Sequence, residues 1–173
     1  STQLSKYKKD NYEFILAGEC GPKTATKIID RNKTGSFGFL PGMNYDQNYY
    51  ITLIAGDSLA NGQINFADIC LDSTECSIIR FVELPIANAG SDDKICGLTY
   101  PLSGTLSLPL GKSQGSWKQI SGTGTADFAD GSNPKTDVTV SICGIYQFVW
   151  TEDNNGCTST DTVQIIFSQP PTL

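Results

Sequence analysis

Glycine and proline break this chain at short intervals, 17 and 8 of its 173 residues, and no ten-residue stretch between the breaks sets apolar residues at helical spacing. A chain so punctuated builds short elements only. The β-branched and aromatic runs between the breaks read as strands, expected at 12–16, 26–30, 35–40, 49–55 and 78–83, then at 99–103, 115–120, 137–140, 146–151 and 162–167. The fold class is all-β. Because one β-sandwich of this kind takes about 100 residues, 173 residues imply two sandwiches in tandem.

Pro85 cannot extend a central strand, and the small polar run Ala87 to Asp93 follows it. The expected domains are therefore 1–86 and 87–173, joined by a linker short enough to make the pair semi-rigid. Residues 56–75 are polar and carry Asn61-Gly62, so they read as a long loop that Cys70 and Cys76 would tie down. In the second half Asp130-Gly131 and Asn155-Gly156 are the strongest turn signals.

Charge and residue inventory exclude several functions. Eighteen acidic against 12 basic residues give a net charge of -6, and 8 basic with 10 acidic residues precede Ile86, so neither half hides a basic surface for nucleic acid. No apolar run reaches membrane-spanning length, so membrane insertion is not expected. A soluble chain is expected, with any export signal outside these residues. There is no histidine, which removes His-based nucleophile systems and His-containing metal sites. Six cysteines without a C-x2-C pair read as disulfides in an exported protein. The adjacent carboxylates Asp92/Asp93 and Glu152/Asp153 read as solvated turn charge rather than as a catalytic pair. The chain is expected not to be an enzyme.

Residues 143–152 read CGIYQFVWTE, which puts Tyr146, Phe148 and Trp150 on one face of a strand. Gly-x-Tyr at the start of the penultimate strand is the position of the tyrosine corner of immunoglobulin-like domains, and Phe148 stands where antibodies carry a cysteine. Trp117 and Trp150 read as core. Together with ANAGSDDKICG (87–97), GSWKQISGTGTADFADGSNPKTDVTV (115–140) and GIYQFVWTEDNNGCTSTDTVQIIF (144–167), the second half resembles the PKD-like repeats of large surface proteins of gliding Bacteroidetes. The first half is similar, more loosely, to the neighbouring module of such proteins through GSFGFLPG, YYITLIAGD and NGQINFADICLD.

The resemblance implies two PKD-like, immunoglobulin-like sandwiches in a type IX-secreted protein of the SprB-like gliding-adhesin kind, extracellular and attached to the outer membrane. Its implied function is a structural and adhesive repeat segment. Two alternatives stand beside it: an accessory spacer or carbohydrate-binding module of a secreted polysaccharide-degrading enzyme, and a module that docks partner proteins through an exposed strand edge. The implied partners are neighbouring repeats of the same polypeptide, surface polysaccharide or other surface proteins. The family pattern also implies a Cys96–Cys157 disulfide; Cys20–Cys70 is a second expected pair that rests on no family pattern, and Cys76 and Cys143 stay unassigned. For proteins of this type Asp-Ser triplets are O-glycosylation acceptors, which points to Ser58 and Ser73.

Two further candidate sites come from residue chemistry. Tyr45, Tyr49 and Tyr50 lie among amides in NYDQNYY, the mixture that sugar-binding surfaces use. No organic cofactor is expected, but Asp57, Asp68 and Asp72 could give oxygen ligands to a structural calcium ion, with Asn65 nearby. A second such group is Asp92, Asp93, Asp153 and Asn154. Plain turn chemistry is the competing reading of both.

Overall fold

The computed structural model describes residues 12–21, 24–67 and 71–169, and the chain divides into two compact units, Ser1–Phe81 and Val82–Leu173. Among the described residues the regular structure is strand, apart from one 3-10 turn, Ala25–Lys27.

The first unit is built on one antiparallel sheet. Its central strand β1 (Tyr12–Ala17) lies between β2 (Ile28–Asn32) and β3 (Asn48–Ala55). The far side of β3 carries β4 (Asp72–Ser73) and β5 (Ser77–Arg80). Ile15 and Leu16 are strand neighbours and so point to opposite faces, yet both are fully buried. Both faces are therefore covered. On one, Ile15 and Ile54 pack with Ile64, Phe66 and Leu71 from the long loop. On the other, Leu16 and Tyr49 pack with Phe37, Leu40 and Met43.

Residues 35–40, expected as a strand, pair with nothing in the ladder. Asn32 explains the departure. Its Oδ1 accepts the N–H groups of Thr34 and Gly35, and its Nδ2 donates to Ser36 O, so a side chain occupies the backbone where a ladder would start. Phe37 and Leu40 still reach the core from this irregular segment.

The second unit is a two-sheet sandwich. One sheet runs β6 (Asp93–Cys96), β12 (Cys157–Ser168), β11 (Gly144–Asn154), β8 (Gln114–Gly122). The other runs β7 (Thr99–Pro101), β10 (Asp137–Val140), β9 (Ala126–Phe128). Trp117, Val138, Val140, Tyr146, Phe148 and Trp150 fill the space between them. As expected from the sequence, Tyr146, Phe148 and Trp150 face inward, both tryptophans are core, and the Tyr146 hydroxyl donates to Ile142 O at 2.8 Å. This is the tyrosine corner. Gly115 is fixed by the same core: a Cβ there would stand 2.0 Å from Trp150 Cζ2.

Candidate functional site

β11 and β12 form an unbroken antiparallel ladder from Gly144↔Phe167 to Asn154↔Cys157. Asn155 and Gly156 close it, both with positive φ (53° and 89°), which is the turn that Asn-Gly favours. Gly156 N donates to Asp153 Oδ1.

The other side of β12 carries a parallel seam. Asp93, Lys94, Ile95 and Cys96 of β6 stand opposite Ile165, Ile166, Phe167 and Ser168. Upstream of β6 the same alignment continues through side chains: Ala87 N donates to Ser159 Oγ, Ala89 N to Asp161 Oδ2, and Gln164 N to Asp92 Oδ1. Every one of these pairs is separated by 72 residues. Residues 87–96 thus run beside the last strand of the unit in one register, with carboxylates and a hydroxyl replacing ladder bonds where the strand is not yet regular.

A buried carboxylate anchors the entrance to the seam. Glu152, 0 % exposed, receives Ser113 Oγ at 2.6 Å, Ser107 N at 2.9 Å, Ser107 Oγ at 3.0 Å and Leu108 N at 3.2 Å. Burial pushes its carboxyl pKa up, but the bonds from Ser113, Ser107 and Leu108 together hold it below the ordinary value. Glu152 therefore clamps loop 107–113. The incoming chain is tied to that clamp. Ile86 N donates to Ser107 Oγ, Lys112 Nζ pairs with Glu83 at 2.8 Å, and Asn154 Nδ2 donates to Glu83 O. The reading of Glu152 as solvated turn charge is corrected by its burial among these donors.

The disulfide expectations are also corrected. Cys20 bonds to Cys76, with Cα atoms 5.7 Å apart, and so not to Cys70, which lies outside the described residues. Thr52 Oγ1 stands 3.3 Å from Cys76 Sγ on the sheet between the two ends. Cys96 and Cys157 are both free. Cys96 lies opposite Ser168, at one end of β12, whereas Cys157 begins that 12-residue strand. At about 3.3 Å per residue the two are roughly 36 Å apart, far beyond the span of a disulfide. The parallel direction of β6 causes this, a feature the sequence pattern does not reveal. Cys143 is free as well and half-buried.

The tyrosine cluster does not form one surface. Tyr49 is buried, Tyr50 half-buried on β3 and Tyr45 exposed. Tyr49 cannot touch a ligand. Its hydroxyl instead accepts Asn44 N at 2.6 Å, while Tyr45 stacks on Phe39, a residue outside the sequence cluster.

Among the described residues no three of the Cys, Asp and Glu side chains come together as metal ligands. Asp72 Oδ1 accepts Ser73 N on β4, Asn65 Oδ1 accepts Ala67 N in a turn, and the Asp57 backbone carbonyl accepts Asn65 N beside the Ser58–Ile64 bridge. In the second acidic group Asp93 takes Lys94 N and the Tyr100 hydroxyl. Asp68 lies outside the described residues. Ser58 and Ser73 are both exposed. No helix among the described residues is long and apolar enough to cross a membrane.

No family model and no curated protein matches the chain. Solved structures similar to it include the PKD domain of the KIAA 1837 protein, at 22% identity and TM-score 0.43, covering 50% of this chain and 91% of that one. The PKD domain of human KIAA0319 matches at 18% identity and TM-score 0.42, covering 53% and 90%. The fibronectin(III)-like modules of Clostridium thermocellum CbhA match at 14% identity and TM-score 0.37, covering 91% and 77%.

Proposed function

We propose that this chain is a non-catalytic, tension-bearing and adhesive segment of an exported cell-surface protein of the gliding-adhesin kind, held at the outer membrane and flanked by repeats of the same polypeptide. The observation that carries this reading is the seam of constant offset between residues 87–96 and β12. The first and last segments of the second unit are parallel, so pulling on the two chain ends slides one along the other. All the bonds of the seam then resist together, whereas an antiparallel terminal pair would open one bond at a time. The Cys20–Cys76 disulfide supports an oxidising, extracellular setting. Ser58 and Ser73 are the proposed O-glycan acceptors, to be checked by intact mass of protein taken from its native cells.

The test is single-molecule force extension of the whole chain. Asp92→Ala combined with Asp161→Ala removes two seam bonds while leaving the core untouched, and is expected to lower the unfolding force of the second unit at every pulling speed. An unchanged force would remove the mechanical reading. Surface-protease treatment of whole cells, followed by immunoblot against this fragment, tests the location: a very large, protease-sensitive, cell-attached band is expected. A modest secreted band with hydrolase activity would favour an enzyme accessory instead.

A further inference from the structure

One group of rings in the first unit reaches the surface unfinished. Phe81 meets Phe39 edge-on at 5.6 Å, and Phe39 stacks on Tyr45 at 4.3 Å with planes 6° apart. Among the described residues Tyr45 has no further ring partner. Phe39 and Tyr45 remain 39% and 41% exposed, so apolar ring surface is left in water that a ligand would cover.

The segment that holds Tyr45 is fixed without any ligand. Met43 N donates to Leu40 O and Asp46 N to Phe81 O. The buried Tyr49 hydroxyl accepts Asn44 N and donates to Asn44 O at 3.3 Å. Asp46, next to Tyr45, has φ of 63°, a left-handed conformation that costs free energy in a residue other than glycine. The aromatic surface is therefore preorganised.

Hydrogen-bonding side chains belong to the segment that carries Tyr45 and to the strand paired with it. The Asn44 and Gln47 amides lie 3.4 Å from each other, and the half-exposed Arg80 guanidinium lies 3.6 Å from Asp46 Oδ1. We propose that the Phe39–Tyr45 stack is a binding platform for a pyranose unit of a polysaccharide. The C–H face of the sugar continues the stack as its next layer on Tyr45, and its hydroxyls bond to the Asn44 amide and Arg80. A ligand apolar on one face and lined with hydroxyls at its edge matches a flat ring whose chain neighbours are the amide Asn44 and the Arg80-paired Asp46. A peptide side chain would need an enclosing pocket, which two stacked rings do not make.

This deepens the adhesive part of the proposed function and rests on it, but its test is independent of the force measurement. The whole chain is run through native gels that each contain one polysaccharide: hydroxyethyl cellulose, xylan, galactomannan or laminarin. Retardation is expected in at least one. Tyr45→Ala and Phe39→Ala should weaken it by about tenfold or more in Kd, and Tyr45→Phe should stay within about threefold, since the ring and not the hydroxyl makes the contact. Far-UV circular dichroism and mapping of the Cys20–Cys76 bond verify that each variant folds, and Arg80→Gln, a surface change, gives a second loss of binding should Phe39→Ala misfold. Free migration in all four gels overturns the proposal, as does retardation that Tyr45→Ala leaves unchanged. Capture of a proline-rich peptide by these rings in place of any polysaccharide overturns it too.

Discussion

A carboxylate with no exposed surface is tolerated only where donors replace its water, and Glu152 shows how completely a small sandwich can supply them. Two hydroxyls and two backbone N–H groups converge on it from one loop, which makes the loop's shape depend on a single charge. Because these bonds lower its folded pKa below the ordinary glutamate value of 4.5, the stabilisation is fully present above that value and is lost as pH falls through the lower folded one. Glu152→Gln keeps the shape and removes the charge. The variant should lose about 1.5–3 kcal/mol at pH 7, and the loss should shrink on acidification below the ordinary carboxylate range. Urea unfolding of both proteins at pH 7 and at pH 3 checks this, and an equal gap at both values would mean that charge is not what Glu152 contributes. In the sequence this residue is one of two adjacent acids near a turn, and composition alone does not separate the buried one from Asp153. The strand alternation does distinguish them in hindsight: Glu152 continues the inward set Tyr146, Phe148, Trp150.

Elements were legible wherever local pattern and tertiary pairing agree. The strand expected at 137–140 coincides with β10, and β3, β8, β11 and β12 contain or overlap the apolar runs that announced them. Asn155-Gly156 made its turn. The strands that were not read have a common physical cause. β4, β6 and β9 are only 2, 4 and 3 residues long and lack the repeated polar-apolar alternation that the equally short β10 carries as Asp-Val-Thr-Val, so long-range pairing makes them strands. Three exposed edges share a further device that no periodicity reveals. In β2, β4 and β6 an aspartate accepts the N–H of the residue after it: Asp30 from Arg31, Asp72 from Ser73, Asp93 from Lys94. Each side chain fills a backbone donor that would otherwise invite another strand, and adds a charge at the edge. Asp30→Val with Asp93→Val should leave the core intact and promote concentration-dependent self-association, measured by sedimentation velocity. A monomer at every concentration would mean that these caps are incidental.

At the scale of the whole chain, the two units should answer a pulling force differently. The second has its seam to resist extension, while the first has a covalent lock. Cys20 and Cys76 are separated by 56 positions and enclose β2, β3 and β4, with β1 and β5 outside the loop. Closing a loop of that length removes enough chain entropy from the unfolded state to be worth about 4 kcal/mol. Under force the consequence is geometric, because no chain between the two cysteines can lengthen while the bond is intact. Oxidised protein should therefore show one large extension, from the second unit, and almost none from the first. Added reductant should release the enclosed 56-residue span, a further gain of roughly 190 Å at about 3.4 Å per residue. Force traces recorded with and without dithiothreitol measure that gain directly. Cys20→Ser with Cys76→Ser should give the long trace under both conditions. If the native protein already extends fully without reductant, the bond does not form, and the first unit must hold by its two packed faces alone.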